Sequence, residues 1–261
     1  MNIIKETHLI TLNSFDAQKN NSSYNSNVVF NFPSLLKDEK NILYNEILLL
    51  KCEIPFSFYA ITANNNVLSY YLGTNKSITI PVGNYNANSF ITQLTALFTS
   101  NGDTFTIAIN NSTGILTFST STSFSFYASI IMTTLGFLNT TYSSTSNSLT
   151  AIYPLNLLGP KRLTIKSNQL LTNNVSSKNN GLDSVLGVVS VNVPSFNLIS
   201  YQTQENDGHP LRSKVLNQID IQILDENGNF INFNNIDWTI SIILTTFRNI
   251  DLSYLTNGEI V

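Results

Sequence analysis

Cysteine and histidine are nearly absent from this chain, which has one Cys and two His among 261 residues. A single cysteine cannot form an intramolecular disulfide. Cys52, His8 and His209 together supply too few ligands for a zinc site made only of Cys and His. We therefore expect neither a disulfide nor a metal site, and no motif indicates a cofactor.

Charged residues are also scarce, at 11% of the chain, against about 25% in a typical soluble protein. Thirteen basic and sixteen acidic residues give a formal net charge of -3. Such a chain has no excess of cations to neutralise a phosphate backbone. Direct binding of nucleic acid is therefore not expected.

Long apolar runs are missing as well. The first six residues, MNIIKE, lack the apolar segment of a secretory signal. No stretch approaches the roughly 18 uncharged apolar residues of a membrane-spanning helix. We expect a soluble chain without a transmembrane segment, made and used without export.

The chain is instead rich in Asn, Ser and Thr, which make up roughly a third of its residues. Short stretches of β-branched and aromatic residues alternate with these polar stretches. The patterns predict strands at residues 28–32, 46–54, 67–72, 77–80, 105–109, 115–119, 162–166, 186–193, 219–223 and 238–244. The first of these strands is expected to stop at Pro33. Residues 139–150 are predicted to form a long surface loop.

One amphipathic helix is predicted over residues 88–98, where apolar residues recur with a period of 3.6. Asn86 or Asn88 is expected to cap its start, and the Asn101-Gly102 pair to end it. The whole pattern indicates an all-β protein, a single jelly-roll β-sandwich with one short helix. No linker or repeat divides the chain, so we expect a polar N-terminal arm over residues 1–25 and one jelly-roll domain over residues 26–261.

Several short motifs resemble functional sites but fail on inspection. Asp207-Gly208-His209 is more typical of a turn than of an acid–base pair. Residues 225–229 open like a calcium loop, yet Phe230 stands where Gly is needed and Ile236 where a bidentate Glu is needed. Residues 181–184 lack the spacing of a phosphate loop.

Two single residues are better explained by packing than by chemistry. Cys52 lies in the most apolar predicted strand, so a buried and inert thiol is expected. Trp238, at the head of the last strand, is expected in the core. We therefore predict no catalytic, cofactor-binding or metal-binding residues and no enzymatic activity, and the sequence identifies no interface residues.

Several phrases, in this order, resemble the penton (minor capsid) proteins of virophages and Polinton-like viruses. They are residues 12–14 (LNS), 26–33 (SNVVFNFP), 46–50 (EILLL), 53–61 (EIPFSFYAI), 80–85 (IPVGNY) and 134–137 (TLGF). The resemblance runs from about residue 12 to the last strand. It implies a jelly roll that assembles as a homopentamer at the vertices of an icosahedral virion, in contact with double-jelly-roll major capsid proteins, after assembly inside the infected host cell.

Two other functions remain open. One is a receptor-binding or carbohydrate-binding β-sandwich, such as a fibre head or a lectin-like module, in which loop aromatics such as Tyr142 or Tyr153 hold sugars. The other is an enzyme on a jelly-roll scaffold, as in cupins, for which the two histidines are too few. The chain also lacks an Arg-Gly-Asp triplet, so attachment to integrins is not expected.

Overall fold

The computed structural model describes residues 2–20, 24–36, 41–169, 174–176, 181–204 and 208–250. Antiparallel strands make up most of its regular structure. In chain order the strands are β1 (Asn2–Asn13), β2 (Gln18–Lys19), β3 (Asn27–Leu36), β4 (Ile42–Pro55), β5 (Val67–Leu72), β6 (Thr74–Thr79), β7 (Thr106–Ile109), β8 (Leu116–Ser119), β9 (Ser125–Phe126), β10 (Tyr142–Ser143), β11 (Ser148–Thr150), β12 (Arg162–Lys166), β13 (Asn174–Ser176), β14 (Gly181–Asp183), β15 (Val185–Ser190), β16 (Leu198–Gln202), β17 (His209–Pro210), β18 (Leu216–Leu224) and β19 (Thr239–Ile250). The helices are α1 (Ala87–Ser100) and α2 (Ile131–Thr134), and a 3-10 turn covers Ser14–Asp16.

The chain divides into two compact units, each with its own hydrophobic core. The first unit comprises residues 1–58 and 160–261, and the second comprises residues 59–159. The two chain ends of the second unit are neighbours, since a Cβ added at Gly159 would lie 3.3 Å from Ala60 Cα. The search for linkers and repeats in the sequence did not predict this division, because no Pro- or Gly-rich linker stands at either boundary.

The first unit is a sandwich of two antiparallel sheets. One sheet has the order β1-β19-β4-β16, and the other has the order β15-β12-β18-β3-β2. Eight strands of these two sheets are longer than two residues, and in chain order they are β1, β3, β4, β12, β15, β16, β18 and β19. When they are numbered one to eight in that order, the first sheet holds strands one, eight, three and six. The second sheet holds strands two, seven, four and five. This is the jelly-roll order, so the predicted fold class is confirmed.

Both sheets contribute apolar side chains to the core between them. The core includes Leu12, Leu49 and Ile242 from the first sheet, and Phe30 and Ile221 from the second. In β4 and β19 the register shifts between Ser241 and Ile242, which leaves one extra residue in β4. Such a bulge lets both neighbouring stretches keep their apolar side chains facing the core.

The N-terminal segment differs from the polar arm predicted over residues 1–25. Residues 2–13 form strand β1, which pairs along its whole length with β19. Its inward positions include His8, Ile10 and Leu12, whereas Leu9 faces outward. Polar and apolar residues therefore occur on both faces of β1. The sequence of this edge strand consequently lacks the alternation of apolar and polar residues that predicts a strand. The boundary between residues 25 and 26, as a limit of independent folding, stays a prediction.

Strand β3 also continues beyond Pro33, where the sequence predicted its end. The register between β3 and β18 shifts in this region, from Gln218 opposite Asn31 to Leu216 opposite Leu36. On its other side, β2 pairs with β3 only at Val28 and Val29. Proline is accepted at such irregular and edge positions because no regular ladder hydrogen bond is required of its nitrogen.

The second unit packs helix α1 with two small sheets, ordered β10-β9-β5-β6 and β11-β8-β7. Phe90, Leu94 and Phe98 are the buried face of α1. Asn86 caps the helix in a capping box with Ser89, in which each side chain accepts a hydrogen bond from the other residue's backbone. The predicted helix and the predicted hairpins β5–β6 and β7–β8 are confirmed.

The stretch 139–150, predicted as a long surface loop, contains two short strands, β10 and β11. Ser143 lies opposite Ser125 with their hydroxyl oxygens 2.9 Å apart, and Thr150 pairs in the same way with Thr117 at 3.0 Å. Hydroxyl pairs of this kind hold polar strands together on an exposed face. The polar composition of this stretch predicted only a loop, because it gives no sign of these cross-strand hydroxyl pairs.

Candidate functional site

The two residues expected in the core lie there. Cys52 is fully buried, and burial raises the pKa of its thiol to about 12. Trp238 is buried with its ring edge toward Phe30, and its indole nitrogen donates to the carbonyl oxygen of Asn25 at 2.8 Å. A thiol that keeps its proton is a poor nucleophile, so burial makes the Cys52 thiol unreactive at neutral pH.

The two histidines lie in one cross-strand row of the first sheet. His8 is opposite Leu244, Leu244 is opposite Ile47, and Ile47 is opposite His209. Three strand spacings separate the histidines, which is about 14 Å. They are too far apart to bind one metal ion together.

The weak motifs have structural roles. Asp225 Oδ1 accepts hydrogen bonds from the backbone nitrogens of Asn227 and Asn229, so residues 225–229 form a turn closed by its own carboxylate. Residues 181–183 form strand β14. His209 pairs with β4 in strand β17, and Asp207 lies outside the described residues.

Within the described ranges, no group of three or more His, Cys, Asp or Glu side chains is arranged to hold a metal ion. In the same part of the chain, no helix combines the length and the apolar character needed to cross a bilayer.

A hollow of about 260 Å³ lies on the first sheet, on the face opposite the core. Its lining consists of Lys5, Thr7, Glu46, Leu48, Leu50, Thr203, Gln204, Gly208, Ile243 and Thr245. None of these residues is a thiol or an imidazole. Its charged side chains are Lys5 and Glu46, and three threonines supply hydroxyl groups.

The second unit is almost free of charge. Residues 59–159, all of which the structure describes, contain only two charged side chains, Lys76 and Asp103, and no histidine. A unit of this length with ordinary composition would contain about 25 charged residues. The scarcity of charge in residues 59–159 is the sequence signal that marks a separate unit, and no linker or repeat accompanies it.

Those two charges belong to one internal cluster. Lys76 Nζ lies 2.5 Å from one carboxylate oxygen of the buried Asp103, and Tyr70 donates its hydroxyl proton to the other at 2.5 Å. Burial, and then the hydrogen bond to Asp103, raise the pKa of Tyr70 to about 12. Apart from this pair, the surface of the second unit carries only apolar and neutral polar side chains.

An exposed tyrosine of this neutral surface, Tyr153, lies within residues 152–156, which we call the 152–156 strip. Its backbone is tied to two polar turns, at residues 110–114 and 134–140. The backbone nitrogens of Ile152 and Tyr153 donate to the carbonyl oxygen of Gly136 at 3.0 and 2.8 Å, and the nitrogen of residue 155 donates to the carbonyl oxygen of residue 114 at 2.9 Å. Backbone hydrogen bonds therefore connect the strip to both turns.

Of the two loop tyrosines predicted as candidates for sugar binding, only Tyr153 has a largely exposed side chain. Tyr153 is 53% exposed. Tyr142 packs against Phe137 with ring centroids 5.1 Å apart, and its hydroxyl accepts a hydrogen bond from the nitrogen of Leu138. The sequence could not separate the two, because burial depends on the strand pairing of residues 142–143.

No protein-family model matches the chain. No curated protein matches it either. Among the solved structures similar to it is the mavirus penton protein, with 11% sequence identity and a TM-score of 0.47 over 94% of this chain and 100% of that chain. Another is a chain from the cryo-EM structure of the Sputnik virophage, with 12% identity and a TM-score of 0.44 over 95% of this chain and 98% of that chain.

Proposed function

We propose that this protein is a structural subunit of a virus capsid. In this proposal it is a penton protein that forms homopentamers at the icosahedral vertices, beside double-jelly-roll major capsid proteins, and assembles inside the infected cell. The observation that carries the proposal is the strand order of the first unit, because eight-stranded jelly rolls occur in viral capsid proteins, lectins and cupins.

The chemistry of the described residues favours a capsid role over a cupin-like enzyme. A metal-dependent cupin needs several ligands at one point, whereas His8 and His209 are separated by two strands. Cys52 is buried with a raised pKa. The described residues thus give no support to a metal-dependent cupin site.

The phrases that resemble penton proteins coincide with packing and turn positions. Residues 26–33 and 46–50 fall mostly within strands β3 and β4, which supply core side chains from both sheets. Residues 134–137 contain Gly136, whose φ of +87° and close contact with Tyr153 allow no side chain. A resemblance carried by such residues supports a shared architecture.

The two edges of the first sheet suit assembly into a ring. An exposed leucine lies on each edge strand, Leu9 on β1 at 65% and Leu198 on β16 at 53%. A cyclic ring joins two different patches of neighbouring subunits, and edge strands readily pair with another chain. We therefore expect at least one of these edges to contact the neighbouring subunit.

Native mass spectrometry and negative-stain microscopy test the proposal. The expected result is a fivefold ring with five times the subunit mass of 29.0 kDa. Leu9→Glu or Leu198→Glu should weaken the ring, whereas Leu158→Glu, an exposed leucine of the second unit, should leave it intact. A chain that stays monomeric at high concentration contradicts the proposal.

A further inference from the structure

The second unit has a surface feature that a purely structural role does not require. Beside the exposed ring of Tyr153, Ile152 is 49% exposed and Leu138 is 50% exposed. Ile152 and Tyr153 both bond to Gly136, two residues before Leu138. The backbone segments that carry these three exposed apolar side chains therefore lie close together.

Exposed neutral polar residues lie in the two turns whose backbones bond to the strip. Asn111, Ser112 and Thr113 are exposed in the 110–114 turn, and Asn139 and Thr140 are exposed in the 134–140 turn. Amides and hydroxyls both donate and accept hydrogen bonds. The surface thus combines an apolar platform with flanking hydrogen-bonding groups, as ligand sites do.

We propose that the 152–156 strip and its two flanking turns bind uncharged carbohydrate. A sugar ring presents an apolar face of C–H groups and an edge of hydroxyls, which match an exposed aromatic ring and neutral polar neighbours. This binding is independent of the proposed capsid role.

The absence of charge selects the class of ligand. Lys76 and Asp103, the charged residues of the unit, pair with each other, so the surface offers no countercharge to an ionic partner. A charged ligand would lose hydration here without gaining an ion pair, which is unfavourable. A neutral ligand incurs no such cost.

The size of the apolar group favours a small ligand over a second protein. Three half-exposed side chains offer on the order of 300 Å², at the lower end of functional patches. A stable protein interface buries about 800 Å² on each partner.

The backbone beneath Tyr153 is also closely packed, since a Cβ added at Gly136 would lie 2.0 Å from the carbonyl oxygen of Tyr153. Such preorganisation lowers the entropic cost of binding.

A glycan array followed by saturation-transfer NMR tests the proposal with the full-length protein. The probes are uncharged oligosaccharides of glucose, galactose, mannose, fucose and N-acetylglucosamine, compared with sialylated and sulfated glycans. We expect binding to at least one uncharged glycan. We also expect its affinity to stay within about twofold when salt rises from about 50 to about 500 mM, because no ion pair is involved.

The decisive variant is Tyr153→Ala, which should weaken binding at least about tenfold while the melting temperature stays close to that of the wild type. Tyr71→Ala, which removes another exposed tyrosine of the same unit, should leave binding unchanged. Three results overturn the proposal: no uncharged glycan bound at millimolar concentration, binding confined to charged glycans, or full affinity in Tyr153→Ala.

Self-association is a separate outcome of the same experiment. If Tyr153→Ala alters the oligomeric state and no glycan binds, the surface joins copies of the chain and the carbohydrate proposal is wrong. A fivefold ring that forms without glycan binding refutes only the carbohydrate proposal, whereas a glycan-binding monomer refutes only the capsid proposal.

Discussion

At the scale of single residues, the cluster of Tyr70, Lys76 and Asp103 stabilises the second unit. Tyr70→Phe removes a hydrogen bond to a buried carboxylate, which should lower the free energy of unfolding by about 1–3 kcal/mol. Tyr71→Phe, one residue away and exposed, should change it by less than about 0.5 kcal/mol. Urea denaturation at neutral pH measures both. Equal stabilities of the two variants would contradict the role assigned to the Tyr70 hydroxyl.

The same hydroxyl gives a pH dependence with a defined sign. The pKa of Tyr70 is raised from its ordinary value of 10.0 to about 12 in the folded protein, so the unfolded chain loses this proton first. The stabilisation by Tyr70 is complete below about pH 10 and is lost as the pH rises toward 12. The difference in stability between the wild type and Tyr70→Phe should therefore shrink over this range.

A second residue-scale prediction concerns the glycine in the turn under the 152–156 strip. Gly136 has a φ of +87°, and an added Cβ would lie 2.0 Å from a backbone oxygen. Gly136→Ala should therefore cost at least about 3 kcal/mol. Gly73→Ala has a similar φ of +70° but open space, so it should cost only about 1–2 kcal/mol. Thermal or urea unfolding of the two variants separates steric clash from backbone conformation.

At the scale of elements, the start of helix α1 shows which asparagine is its N-cap. The sequence allowed Asn86 or Asn88 as the cap, and the structure assigns the role to Asn86. Asn86→Ala should destabilise the protein by about 0.5–2 kcal/mol. Asn88→Ala, at an exposed position within the helix, should be neutral or slightly stabilising, because alanine has the higher helix propensity. Loss of stability in Asn88→Ala alone would reverse the assignment.

Strong periodicity explains which elements the sequence predicts. Helix α1 and the hairpin β7–β8 have complete local signals, an apolar stripe in one and alternation around a turn in the other. Strand β1 lacks such a signal, because its partner β19 lies more than 200 residues away and supplies the pairing. Strands β10 and β11 are hidden for a related reason, since their hydroxyl pairs form only across strands.

The candidate site is less predictable than the fold. The sequence named Tyr153 as a loop aromatic, but its exposure follows from hydrogen bonds between the strip and Gly136. Those bonds connect turns that are distant in the chain. Composition indicates that the surroundings are neutral, whereas only the folded chain shows which neutral groups are neighbours.

At the scale of the whole molecule, the two cores are separate, and Ala60 and Gly159 are neighbours. We expect that a linker of about four residues in place of residues 60–159 leaves a folded jelly roll, because short connections close easily. Circular dichroism should show retained β-structure with a cooperative thermal transition.

A shorter deletion provides the control for this excision. Removing residues 105–119 takes Phe105, Leu116 and Phe118 from the second core and leaves the rest of that core exposed. This variant should aggregate or unfold at lower temperature than the complete excision. If the complete excision aggregates and the partial one folds, the two cores depend on each other.

The near absence of ionisable groups in the second unit also determines how it responds to its surroundings. Histidine is the side chain whose protonation ordinarily changes between about pH 5 and pH 8, and residues 59–159 contain none. This unit therefore has no side chain whose ordinary titration falls between about pH 5 and pH 8. A change of pH within that range should leave the charge of its surface unaltered.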